Sequence, residues 1–158
     1  MIRTLYRRSD GTVDAAITPE QGLAALREGE DGLLWVDLVE EPLASAEQIL
    51  HDVFQFHPLA VDDALRESHV PKIDDWGEYL YVTLHSITHG ADTWEELSTL
   101  EVDIFIGRGF IVTYQSRPVS SVERVWGMVQ RDARHLTKGA DNILYLLADE
   151  LVADYFPV

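Results

Sequence analysis

His57–Ile87, HPLAVDDALRESHVPKIDDWGEYLYVTLHSI, carries the two local patterns on which the fold turns. His57-Pro58 opens a short helix. Proline has no N–H to leave unpaired in the first helical turn, and its fixed φ is already helical. The helix is expected to run to about Glu67, and Pro71 forbids its continuation. From Tyr79 the period changes to two. Leu80, Val82 and Leu84 fall on one face and Tyr79, Tyr81 and Thr83 on the other, which is the signature of a strand.

Upstream of this stretch, Ile2–Arg8 and Thr12–Ile17 read as strands joined by a turn at Ser9-Asp10-Gly11. Thr18-Pro19-Glu20-Gln21 is a helix start, with Thr18 and Gln21 forming a capping box and Gly29 ending the helix. Gly32–Val39, GLLWVDLV, is an apolar run broken only by Asp37, as expected of a strand buried on both faces. Pro42 opens another helix, whose Leu43, Ala46, Leu50 and Val53 make one stripe with Ile49 and Phe54 beside it.

Downstream, Leu100, Val102, Ile104 and Ile106 alternate with Glu101, Asp103 and Phe105. Gly107-Arg108-Gly109 turns the chain into Phe110–Tyr114, making a β-hairpin in which both glycines supply positive φ. Ser120 or Ser121 is placed to cap a helix with Val122, Val125, Trp126 and Val129 inward. A last helix begins near Ala140 with Ile143, Leu144, Leu147, Leu151 and Tyr155 on one side. It runs toward the final YFPV without a glycine stop, as expected of a chain cut before a longer helical segment. The fold class is therefore α/β. A mixed parallel/antiparallel sheet is covered by helices (α/β/α), with the two C-terminal helices packed together.

Twenty-eight acids against twelve Lys and Arg give a formal charge of −16, which excludes a nucleic-acid backbone as partner and favours cations. Cysteine is absent, so there is neither a disulfide framework nor a thiolate metal site. No apolar run approaches the roughly 18 residues that span a bilayer, and the chain as given is expected to be soluble.

Among chemistry-bearing residues, His85 and His89 have the HxxxH spacing of a zinc site. They lie on a predicted strand, where an i, i+4 pair is about 13 Å apart. His57 suits a helix cap. His51, His69 and His135 have no partner nearby in sequence, and there is no GxSxG, SxxK or P-loop lysine. The remaining candidates are Asp62 and Asp63. Adjacent helical residues point about 100° apart, so the two acids suit separate contacts better than joint chelation. Asp62 can pair with Arg66 at i, i+4. Asp63 instead meets Glu67, a like-charge pair, and so has the greater need of a cation.

The stretch from His57 to Leu84 resembles the signature region of the cytosolic domain of CorA-type magnesium transporters: His-Pro-Leu, an acidic pair, Pro-Lys, acid, aromatic and a Tyr-rich strand. WVDL, the hairpin LEVDIFIGRGFIVTYQ and the terminal ADNILYLLADELVADYFPV resemble further segments of that family in the same order. Val70 stands where the family often has arginine, Asp62 where glutamate is common, and Trp76 where tyrosine is common.

The resemblance implies that residues 1–158 form a single cytosolic funnel domain of a homopentameric transporter. The chain then stops before the stalk and the two transmembrane helices, and the whole protein sits at the cytoplasmic face of the cell membrane. It further implies that Asp62 and Asp63 hold regulatory Mg2+, or Co2+ or another divalent cation, between subunits. Partner acids would lie on the neighbour's stalk beyond Val158, and bound cation would favour the closed state. Two unit charges 4 Å apart repel by about 4 kcal/mol at an effective dielectric of 20, so such interfaces need a counter-ion. The protein is thus expected not to be an enzyme. The rival expectations are a zinc-transporting relative, a hydrolase using His57 with Asp62 or Asp63, and a freestanding acidic interaction domain.

Overall fold

The computed structural model describes residues 1–67, 70–89 and 97–156; of Leu97 and His89 only the backbone is described. Seven strands form one sheet in the order β2-β1-β3-β7-β6-β5-β4. These are β1 (Ile2–Arg7), β2 (Val13–Asp14), β3 (Leu33–Val39), β4 (Lys72–Asp75), β5 (Tyr79–His89), β6 (Leu97–Gly107) and β7 (Phe110–Gln115). β3 and β7 are parallel, and every other neighbouring pair is antiparallel. The sheet is therefore mixed, as the sequence implies.

Helices cover both faces. α1 (Pro19–Arg27), α2 (Leu43–Glu47) and α3 (Pro58–Leu65) lie on one side, around Tyr6, Leu34, Val36, Tyr81, Phe105 and Val112. α4 (Ser120–Arg131), α5 (Arg134–Thr137) and α6 (Ala140–Ala153) lie on the other, around Leu33, Trp35, Val82, Ile104 and Ile111. β3 alternates between these two cores and is buried at every position. Two cores on opposite faces explain why its sequence is continuously apolar.

Several local expectations hold. Thr18 accepts a hydrogen bond from the Gln21 N–H while the Gln21 side chain accepts one from the Thr18 N–H, closing the capping box. α4 turns Val122, Val125, Trp126 and Val129 inward and packs against α6.

Other expectations are corrected. β2 is only two residues long, because the Asp14 side chain accepts the Ala16 N–H and turns the chain. α2 runs directly into a π-helical turn, Gln48–Val53, in which the Phe54 N–H reaches the Ile49 carbonyl. The wider turn aligns Ala46, Leu50 and Phe54 inward and leaves Leu43 60% exposed, so the predicted stripe shifts. In the β6–β7 turn only Gly109 has positive φ, +80°; a Cβ on Gly107 would instead strike the Phe110 ring. α4 is not capped by Ser120 or Ser121: Val119 is its N-cap, and the Val119 N–H donates to the Gln115 side chain at 2.8 Å. α3 ends at Leu65, short of Glu67. β4 and α5 are elements that the periodicity did not indicate. The C-terminal helix ends at Ala153, short of the expected Tyr155: Ile143, Leu147 and Leu151 are buried on it, whereas Tyr155, just beyond it, is half exposed and donates its hydroxyl to the His85 carbonyl.

Candidate functional site

α3 is fixed at its start and open along its outer flank. His57 caps it: His57 Nδ1 accepts the Leu59 N–H at 3.1 Å, and the His57 N–H donates to the Tyr79 hydroxyl at 2.8 Å. The imidazole stacks on Trp76 with ring centroids 4.5 Å apart. His57 is thus engaged in holding the helix onto the β4–β5 corner. Ala60, Val61 and Ala64 face the core. That leaves Asp62 and Asp63 on the surface, 51% and 42% exposed.

Each acid has its own cation. Asp62 Oδ1 lies 3.0 Å from Arg66 Nε, the expected i, i+4 bridge, worth a few tenths of a kcal/mol between exposed groups. Asp63 does not meet Glu67. The helix ends first, at a cap residue Arg66 in extended conformation, and Glu67 accepts a hydrogen bond from the Ser116 hydroxyl instead. Asp63 Oδ2 is 2.6 Å from Lys72 Nζ, and the same ammonium is 3.1 Å from Asp74 Oδ2. Hydrogen bonding to Asp63 raises the Lys72 pKa above its ordinary value. The cation that Asp63 needs is therefore supplied within the chain, by an edge strand that the sequence pattern did not reveal.

Beneath α3 the sheet carries polar groups that the sequence had placed on a strand's second face without a role. The Tyr81 hydroxyl donates to Asp103 Oδ1 at 2.5 Å, and Thr83 lies across the strand pair. Burial pushes the Asp103 carboxyl up to about 9, and the neighbouring Glu101 charge acts in the same direction. Burial and the Asp103 charge also push the Tyr81 phenol upward. His85 Nε2 lies 3.4 Å from Glu101 Oε2. On the opposite face, Asp37 is fully buried, ion-paired with Arg3 at 2.7 Å and hydrogen-bonded by Thr113 and Gln115. Burial raises its pKa against the opposing pull of these partners. A usable signal existed in the sequence: Phe105 shares a face with Glu101 and Asp103, and an aromatic there marks that face as covered.

Among the described residues no group of three or more His, Asp or Glu converges on a point that could hold a metal ion. The HxxxH pair sits on β5, where the His85 ring faces Glu101 across the sheet. His51 Nδ1 contacts Asp52 at 2.9 Å, and His69 falls outside the described residues. The chemistry of Asp62 and Asp63 fits a hard divalent cation, since both offer exposed carboxylate oxygen. Their number does not complete a coordination shell within one chain. Asp62 also lines a groove of about 400 Å³ with Pro58, Leu59 and Leu65, in which Leu59 is 63% exposed.

Three layers, α/β/α, thus carry the two acids on the outer flank of α3. The chain belongs to the CorA-like Mg2+ transporter protein family, whose model matches residues 30–158. YfjQ of Bacillus subtilis, a protein named as a metal ion transporter, is 34% identical over 124 residues, 78% of this chain and 37% of its own length. The cobalt/magnesium transport protein CorA of Thermotoga maritima is 25% identical over 127 residues, 77% of this chain and 35% of its own. The chain thus spans little more than a third of these relatives. The complete CorA magnesium transporter of Methanocaldococcus jannaschii superposes with a TM-score of 0.73 at 14% identity, over 98% of this chain and 45% of that one. The ZntB cytoplasmic domain of Vibrio parahaemolyticus superposes with a TM-score of 0.66 at 14% identity, over 97% of this chain and 59% of that one. These superpositions carry the shared fold. No helix among the described residues is long and apolar enough to cross a membrane.

Proposed function

We propose that residues 1–158 are the cytosolic ion-sensing domain of a CorA-like divalent-cation transporter, with Mg2+, or alternatively Co2+, as the sensed ion. Asp62 and Asp63 would each contribute carboxylate oxygen to a cation shared with a neighbouring subunit of a homopentamer, the remaining ligands coming from that neighbour and from water. The observation that carries this reading is the position of the acids. They stand on the exposed flank of α3, and Asp62 borders a groove shared by the exposed Leu59 and the polar Glu47 and His51. A partly apolar patch rimmed by carboxylates suits an interface that closes only with counter-charge. Magnesium keeps most of its waters and tolerates such a loose carboxylate site. An ion that binds only the closed arrangement shifts the population toward it.

The test is protease protection of the full-length protein across a Mg2+ titration, repeated with Co2+ and Zn2+. Asp63→Ala and Asp62→Ala should weaken or abolish the protection. Unchanged protection in both variants would remove these acids from the sensor. A half-protection concentration far lower for Zn2+ than for Mg2+ would favour the zinc-transporting alternative.

A further inference from the structure

Asp63 already has a cation within the chain, the Lys72 ammonium. Lys72 projects from β4, the last strand of the sheet, and is 30% exposed. Its ammonium sits 2.6 Å from Asp63 Oδ2 and 3.1 Å from Asp74 Oδ2, with the Tyr81 ring 5.5 Å away. Asp63 belongs to α3, whereas Asp74 lies two residues from Lys72 on the same strand and on the same face. The ammonium therefore bridges two carboxylates from different elements.

We propose that Lys72 is a tethered competitor for the cation that Asp63 takes, and so sets the concentration at which the domain responds. This rests on the reading of Asp63 as a cation ligand. A divalent ion approaching Asp63 Oδ2 meets a positive charge already at hydrogen-bonding distance from that oxygen and is repelled by it. Binding is then an exchange: the ammonium leaves Asp63, keeps Asp74, and the ion or one of its waters takes the vacated oxygen. Lysine suits this role because its charge is compact, its stem is flexible and its head is readily rehydrated; a guanidinium would hold the carboxylate in a fixed fork. Asp74 gives the displaced charge a partner within reach, so the exchange leaves no unpaired ammonium. Asp62 differs. Its partner Arg66 is 81% exposed on the same helix, so the pair is screened by solvent and imposes little competition. The two acids should consequently contribute unequally, with Asp63 carrying the threshold.

The experiment is the Mg2+ titration of protease protection in the full-length protein, comparing wild type with Lys72→Met, Lys72→Gln, Lys72→Arg and Asp63→Ala. Thermal unfolding of each variant without Mg2+ checks that it is folded, and the glutamine variant serves if the methionine variant is not. Removing one unit charge beside the site should lower the half-protection concentration by about five-fold in both neutral variants. Lys72→Arg should stay at or above the wild-type concentration. If Asp63→Ala loses protection while both neutral variants respond at or above the wild-type concentration, Lys72 is not a competitor and the role of Asp63 stands. If Asp63→Ala leaves protection unchanged, Asp63 takes no cation and the competitor proposal falls; if Asp62→Ala leaves it unchanged as well, the sensor reading falls with it.

Discussion

Replacing Asp103 by asparagine should make the domain more stable at neutral pH, by a margin that grows as pH rises. Asp103 is 2% exposed, and burial pushes its carboxyl up to about 9. In the unfolded chain an aspartate titrates near 3.9. Between those values the native state holds a proton that the unfolded state has released. Its contribution to stability is fully present below pH ~3.9 and is lost as pH rises through about 9. The slope is about 1.4 kcal/mol per pH unit while one proton separates the two states. Asparagine keeps an oxygen to accept the Tyr81 hydroxyl and adds an amide donor on the side of Glu101, without titrating. The stability difference between Asp103→Asn and wild type should therefore widen steadily as pH rises from 5 to 8, by at most about 1.4 kcal/mol per pH unit. Urea denaturation at pH 5, 6, 7 and 8 measures it, with fluorescence from the buried Trp35 and Trp126 as the signal. Comparing the two proteins at each pH cancels the contribution of groups that do not interact with Asp103; Glu101 and Tyr81 interact with it and do not cancel. Parallel stability–pH curves, or a wild type that gains on the variant with rising pH, would refute a protonated Asp103.

Arg3→Met should cost about 3–5 kcal/mol by urea denaturation, because it strips Asp37, which is fully buried, of its counter-charge; Arg3→Met combined with Asp37→Asn should recover part of that loss. Leu147→Ala, at a fully buried position between α6 and the sheet, should cost about 2–5 kcal/mol, whereas Tyr145→Ala, 65% exposed on the same helix, should change stability by less than about 1 kcal/mol. Thr18→Ala removes one half of the capping box and should lower stability by about 1 kcal/mol, read as a small drop in thermal midpoint.

The segments that could be read from sequence are those whose signal is local. The capping box at Thr18, the proline at the start of α3, the alternation of β5 and β6 and the glycine turn between β6 and β7 each rest on neighbours within a few residues. β4 escaped because Lys-Ile-Asp-Asp has no apolar period. It is a strand only because β5 offers it a hydrogen-bonding edge. The π-helical turn escaped because an added residue per turn leaves composition unchanged while shifting which side chains face inward. The cap of α4 escaped because its acceptor, Gln115, belongs to the preceding strand rather than to the helix.

The same division runs through the candidate site. Sequence alone placed Asp62 and Asp63 on α3 and paired Asp62 with Arg66, because helical spacing determines which neighbours can meet; the expected Asp63–Glu67 pair fails because the helix ends at Leu65. Only the tertiary structure brought Lys72 to Asp63, Arg3 to Asp37 and Tyr81 to Asp103, since each partner lies on a separate strand, outside the reach of local spacing. A carboxylate's partners three or four residues away are written in the helix period. Its partners across a sheet, and the water it loses beneath a covering helix, exist only once the layers have closed.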